Sequence, residues 1–173
     1  GTALHLLGED KLPAAFAERV KKVRVNTSSC QVYLGLRKGE ELAPNGDLFF
    51  LSSAPRFSSR ELTDRHTTSR TFSFYYPEMR PHLDPVRSAA VASLNSRWSE
   101  WQNLPDEEYR GEKDRLVRES LAALEELQPG VADRIDHAEA ATPRTVNRYT
   151  RHPGGTSFGT KFEGLPVSAE LPE

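Results

Sequence analysis

The chain is expected to fold as α+β, with a mainly antiparallel or mixed sheet and helices packed on one face. Three observations point there. Runs of β-formers and amphipathic helical runs fall in separate blocks, without the regular strand–helix alternation of a doubly wound parallel sheet. Residues 71–76 set Phe72, Phe74 and Tyr76 against Thr71, Ser73 and Tyr75, a period of two. Residues 105–128 instead place Val117, Leu121, Leu124 and Gln128 at steps of three or four, with Leu116 and Leu127 widening the stripe. A chain of 173 residues suits one domain of ordinary size.

In chain order, residues 10–22 read as a helix. Pro13 sits in its first turn, Leu12, Phe16 and Val20 recur on one face, and Lys21 and Lys22 suit the dipole at its end. Val23 to Val25 is a short alternation. Residues 29–37 are rich in β-formers and read as a strand, in which Cys30 is a half-buried residue. Pro44-Asn45-Gly46-Asp47 marks a turn into the apolar run 48–51, read as a buried strand. A loop over 54–69 holds one helical turn near 59–62. After the strand at 71–76, in which Phe72, Phe74 and Tyr76 are read as sheet core, Pro77, Pro81 and Pro85 impose an irregular crossing. Residues 88–95 form a further strand, with Ala89, Val91 and Ala92 turned to a core. Trp98 and Trp101 share a helical face and anchor the long helix, which Asn103 caps and Pro129-Gly130 ends. Asp106, Glu107 and Glu108 load its first turn with favourable negative charge. Residues 131–139 lead into a strand, and residues 140–150 mix β-formers with one proline.

Composition excludes several functions. The net charge of −2 argues against an electrostatically driven nucleic-acid binder. No apolar stretch approaches the ~20 residues of a membrane span. A single cysteine allows no intramolecular disulfide, and no His pair stands at i,i+4, so no metal site is expected. The stretch Gly154-Gly155-Thr156-Ser157-Phe158-Gly159-Thr160-Lys161 imitates a phosphate loop. It fails because Thr160 separates the second motif glycine from the lysine and no strand–helix context surrounds it. GxGxxG does not occur, and the GxSxG spelling of residues 155–159 falls in the same stretch without the strand–helix context a serine elbow needs. The glycines fit an ordinary surface loop as well as a close approach of backbone to a flat ligand or another chain segment. Arg144 and Arg148, four apart on a strand, would point the same way; they suit either an anion clasp or a solvated face.

Residues 141–150, Ala-Thr-Pro-Arg-Thr-Val-Asn-Arg-Tyr-Thr, with His152-Pro153-Gly154-Gly155 after them, resemble the TPRTFxRYT…PxG signature of the phytoene desaturase family. These are flavin-dependent oxidoreductases of long polyene lipids. Residues 73–81 are similar to the family's segment before the sheet crossing, and residues 159–165 to its bacterial members related to retinol saturase. Val146-Asn147 departs from the usual Phe-Glu or Phe-Gln pair.

The resemblance implies a substrate-domain fragment over residues 1–140 and, over 141–173, a return segment toward a missing flavin-binding domain. The start at Gly1, the lone Met79 and the end at Glu173 fit a piece of a longer enzyme. For the parent it implies FAD, a carotenoid- or retinoid-like polyene substrate and hydride transfer at a carbon–carbon bond. The fragment alone is expected to be inactive and to bind no FAD. Arg144, Arg148, Tyr149, His152, Gly154 and Gly155 are the expected flavin-proximal residues, with His152 equally suited to a plain surface position; no catalytic acid or base is singled out. The expected location is cytoplasmic or peripheral to a membrane, although no strongly amphipathic basic helix is present. The competing expectation is a free-standing α+β module that binds a lipid or a partner protein without catalysis.

Overall fold

The computed structural model describes residues 2–44, 46–77 and 87–161. Five strands, β1 (Ser28–Leu36), β2 (Leu48–Leu51), β3 (Arg70–Tyr75), β4 (Ala89–Ser96) and β5 (Ile135–Ala141), form one sheet in the order β2-β3-β4-β1-β5. Every neighbouring pair is antiparallel. The helices are α1 (Thr2–Leu7), α2 (Ala14–Lys22), α3 (Ser59–Leu62), α4 (Asp106–Leu127) and α5 (Pro143–Thr150). The architecture is α+β. Among the described residues, no helix is long and apolar enough to cross a membrane.

One sheet face makes the core. Val32, Leu34 and Leu36 of β1, Phe72 and Phe74 of β3, and Ala90, Ala92 and Leu94 of β4 are buried on it. The register sets Ala92 between Val32 and Phe72, and Ala90 between Leu34 and Phe74. Small side chains in the middle strand leave room for the phenyl rings beside them. Over it lies α4, burying Leu116, Ser120 and Leu124 at i,i+4 spacing, flanked by the partly buried Val117 and Leu121. Trp101 is fully buried, donates from Nε1 to Ser96 Oγ at 2.7 Å and meets the Tyr109 ring edge to face. It therefore anchors the start of α4. Arg70 is buried where β3 meets α4, donating to Ser120 Oγ at 3.1 Å and to Glu119 at 3.4 Å.

Several expectations change. Ala89 and Val91 lie on the opposite face from the core, and Ala90, Ala92 and Leu94 point into it. Residues 88–96 are apolar in both phases, so pairing with β1 and β3 decides which phase is buried. Residues 143–150 are helix, not strand. Thr142 and Thr145 form a capping box, with Pro143 in the first turn, and that local bonding outweighs the β-branched residues. The expected helix over 10–22 divides into a 3-10 turn at Glu9–Lys11 and α2. Pro13 is the N-cap of α2 and holds Leu12 extended. The N-cap of α4 is Pro105 rather than Asn103. The run 48–51 is a strand, but Leu48 and Phe50 are exposed because β2 is a sheet edge with one uncovered face. Phe72 and Phe74 are core as expected, and Tyr76 is half-buried. Cys30 is buried at 2% exposure. α1 was not anticipated. Asn45, Met79, the crossing at Pro81 and Pro85, and residues 162–173 lie outside the described residues.

Candidate functional site

Two regions bear on function: α5 with the glycine loop behind it, and the sheet face turned away from α4.

In the first, each residue expected near a flavin can be placed. Thr142 Oγ1 accepts the Thr145 backbone N–H at 3.4 Å, and Thr145 Oγ1 accepts that of Thr142 at 3.1 Å. Tyr109 and Thr142 hydroxyls meet at 2.9 Å, tying α5 to α4. Arg144 completes that tie. Its guanidinium lies 4.2 Å above the Tyr109 ring and donates to the Leu104 carbonyl at 3.0 Å and to Asp106 Oδ1 at 3.3 Å. Arg148 sits a turn later and is exposed, its guanidinium 5.6 Å from the centre of the Tyr149 ring. Tyr149 is 76% exposed. The helix ends at Arg151 in the left-handed region, at φ 59°. His152 is exposed but ordered, its Nδ1 3.0 Å from the Thr156 carbonyl oxygen.

Gly154 and Gly155 both have positive φ, 62° and 56°. At Gly155 a Cβ would stand 2.2 Å from the Pro143 carbonyl oxygen, so only glycine fits. The close approach is therefore to another chain segment, the first turn of α5. The loop is then stitched to the start of β1. Ser28 donates from Oγ to the Gly155 carbonyl, Ser29 and Ser157 hydroxyls meet at 2.9 Å, and Thr156 Oγ1 donates to the Thr27 carbonyl at 3.3 Å. Gly155 and Thr156 spend their own N–H groups on the carbonyls of His152 and Pro153.

The second region was missed by sequence reasoning. The register aligns Glu139, Tyr33, Val91, Ser73 and Leu48 across the five strands, and Ala141, Gln31, Ser93, Thr71 and Phe50 in the next row. All ten side chains are at least partly exposed. Tyr33 is 41% exposed and donates its hydroxyl to Gln31 Oε1; Phe50 meets Phe57 with ring centres 5.7 Å apart and planes tilted by 51°. Small side chains along β3 and β4 are thus bounded by Tyr33 on one side and by Leu48, Phe50 and Phe57 on the other. The signal available in the sequence is alternation: if Val32, Leu34 and Leu36 point inward, Tyr33 must point outward.

No catalytic acid, base or nucleophile is assembled among the described residues of either region, and no group of three or more His, Cys, Asp or Glu able to hold a metal occurs among them. Cys30 is no nucleophile, since burial pushes its thiol up to about 12.

Comparison with known proteins gives partial matches. The chain is 30% identical over 102 residues to the all-trans-retinol 13,14-reductase of Danio rerio, a match covering 56% of the chain and 16% of that protein. It is 34% identical over 68 residues to the chloroplastic prolycopene isomerase of Arabidopsis thaliana, covering 39% of the chain and 11% of that protein. The matched part is thus under a fifth of the length of these curated relatives. No family model matches the chain, and no solved structure matches it.

Proposed function

We propose that the chain is the substrate-domain portion of a FAD-dependent oxidoreductase that desaturates or saturates carbon–carbon bonds of carotenoid- or retinoid-like polyenes. The observation that carries this reading is the sheet with two unlike faces. One is closed by α4; the other is an open strip of small side chains between Tyr33 and the Leu48–Phe50–Phe57 cluster. A flat, long, apolar molecule gains from lying on such a strip because its surface and that of Tyr33, Val91, Leu48, Phe50 and Phe57 leave water together, while Ser73, Ser93 and Thr71 are small enough to let it lie close. The partial likeness to a retinol reductase and a prolycopene isomerase supports the same substrate class.

The described residues do not fit FAD as a complete site. Arg144 is already held by Tyr109, Leu104 and Asp106, and the N–H groups of Gly155 and Thr156 are spent within their own loop. Arg148, Tyr149 and His152 are the expected residues still presented outward, so the flavin would be held chiefly by a domain other than this one. Residues 141–173 would then be the segment returning to it. No chemical step is assigned to this chain; its part is to bind and orient the polyene and to exclude water.

The test is titration of the purified chain with all-trans-retinol, followed by quenching of protein fluorescence, and separately with FAD. Saturable retinol binding, weakened about tenfold by Tyr33→Ser with Phe50→Ser, is the expected result. Retinol binding indifferent to these changes, or tight binding of FAD by the chain alone, would overturn the reading.

A further inference from the structure

The loop between β1 and β2 carries the carboxylates of Glu40, Glu41 and Asp47. Glu40 lies 3.7 Å from Arg37, whereas Glu41 and Asp47 have no ion-pair or hydrogen-bond partner for their carboxylates among the described residues. The loop itself is firmly held. Gln128, buried at the end of α4, donates from Nε2 to the Ala43 carbonyl and accepts the Ala43 N–H, each at 3.1 Å. Arg134, before β5, donates to the Glu41 carbonyl at 2.7 Å, and the Tyr76 hydroxyl, after β3, donates to the Gly46 carbonyl at 2.6 Å. All these bonds go to backbone groups. They fix the loop while leaving the Glu41 and Asp47 side chains uncommitted.

Glu41 and Asp47 border an open cavity of about 390 Å³ whose walls include Leu42, Pro44, Tyr76 and Ser88. It lies at the end of the sheet where β1 and β3 finish and β2 and β4 begin. Leu42 and Ser88 are buried while Glu41 and Asp47 are exposed, so the carboxylates stand at its mouth. Ser88 is fully buried, and its Oγ has no hydrogen-bond partner. Folded proteins pair nearly all their buried polar atoms, so an orphan on a cavity wall points to a group supplied from outside. Burial and then the charge of Asp47 hold the Tyr76 hydroxyl above its ordinary value of 10.0, against the hydrogen bond to Gly46. The field of the carboxylate therefore reaches the tyrosine.

We propose that this cavity binds a small organic ammonium ion that carries N–H groups. Two uncommitted carboxylates at the mouth repel anions and attract cations. A hard metal ion takes six or more oxygen ligands, and no group of three or more His, Cys, Asp or Glu able to hold a metal occurs among the described residues. The Tyr76 ring, Leu42 and Pro44 suit the apolar body of an organic cation. Ser88 Oγ can accept from an N–H but gains nothing from a quaternary methyl group. A cavity of about 390 Å³ takes a molecule of metabolite size. None of the strip residues from Tyr33 to Phe57 lines it, so the inference stands apart from the polyene reading.

The experiment is titration of the isotope-labelled 173-residue chain with butylammonium chloride, followed by backbone amide NMR shifts at constant ionic strength. Saturable shifts are expected at Leu42, Gly46, Tyr76 and Ser88, with a dissociation constant of about 1 mM. Butanol, which lacks the charge, should bind at least about tenfold more weakly, and butyltrimethylammonium, which lacks the N–H groups, about threefold more weakly. Glu41→Gln with Asp47→Asn should weaken butylammonium binding at least about tenfold. Glu107→Gln with Asp114→Asn removes the same charge from exposed positions of α4 and should leave binding within about twofold. Ser88→Ala should abolish the preference for butylammonium over butyltrimethylammonium without lowering the melting temperature, because the hydroxyl has no partner in the protein to lose. Circular dichroism checks that each variant is folded. Absence of saturable shifts around the cavity, equal binding of butanol, equal loss from the two neutralised pairs, or a preference that survives Ser88→Ala would overturn the proposal.

Discussion

A Cβ on Gly155 would stand 2.2 Å from the carbonyl oxygen of Pro143, so the turn after α5 folds back onto the first turn of the same helix with no space between. The left-handed φ of 56° adds a second penalty for any side chain. Gly155→Ala is expected to cost about 2 kcal/mol or more, the strain of the left-handed region plus displacement of α5. Gly39 also has positive φ, but a Cβ there meets nothing within 4 Å. Gly39→Ala should therefore cost only about 1 kcal/mol. Urea denaturation of both variants separates packing from backbone strain.

Arg144 and Arg148 are four residues apart but differ in role. Arg144→Ala removes the contact above Tyr109 and the bonds to Leu104 and Asp106. A loss of about 1–2 kcal/mol is expected. Arg148→Ala should stay within about 0.5 kcal/mol, since its side chain is exposed. Equal losses would contradict the geometry.

The two sheet faces should respond differently to truncation. Leu124 of α4 is fully buried against the covered sheet face, and Leu124→Ala is expected to cost about 2–5 kcal/mol through lost burial and the cavity left behind. Tyr33→Ser on the open face should cost about 1 kcal/mol or less. Thermal melts of the two variants test whether the face carrying Tyr33 is uncovered in solution.

Acid should destabilise the protein through two carboxylates of α4. At Glu125, backbone N–H groups of Ala132 and Gly130 hold the carboxyl below its ordinary value of 4.5. At Glu112, burial works to raise the value, but the hydrogen bond and charge of Arg115, aided by Arg65, outweigh it and the carboxyl again titrates below 4.5. Both groups bind protons less readily folded than unfolded. Their contribution is complete above the unfolded value and is lost as pH falls through the lower folded values. Urea midpoints should therefore drop between about pH 5 and 3, and Glu112→Gln with Glu125→Gln should flatten that dependence.

Cys30 offers a probe of opening. With the side chain 2% exposed and the thiol raised to about 12, it should resist thiol-specific reagents at about pH 8 in the native protein. It should react fully in denaturant. Rapid native labelling would show that β1 opens independently of the rest of the sheet.

Where a local pattern has one phase, the sequence is enough. Val32, Leu34 and Leu36 alternate with polar or small neighbours, Phe72 and Phe74 do the same, and the stripe on α4 has no competing face. Those elements and the α+β class follow from side-chain period alone. β4 has apolar residues in both phases, so its buried face waits on β1 and β3. The stretch after Ala141 reads as strand by residue type, but Thr142, Pro143 and Thr145 together close a helix cap.

The remaining features join residues distant in the chain. Gly155 against Pro143, Arg144 over Tyr109, the open strip from Tyr33 to Phe50 and the pairing of Val25 with Thr160 exist only once strands and helices have docked. Periodicity reports which side of an element is apolar. It does not report what will cover that side, because covering depends on segments that sequence spacing does not bring together. The expected flavin residues show the difference: TPRTVNRYT carries the family likeness, while Arg144 is taken up by α4 and Arg148 is left outside.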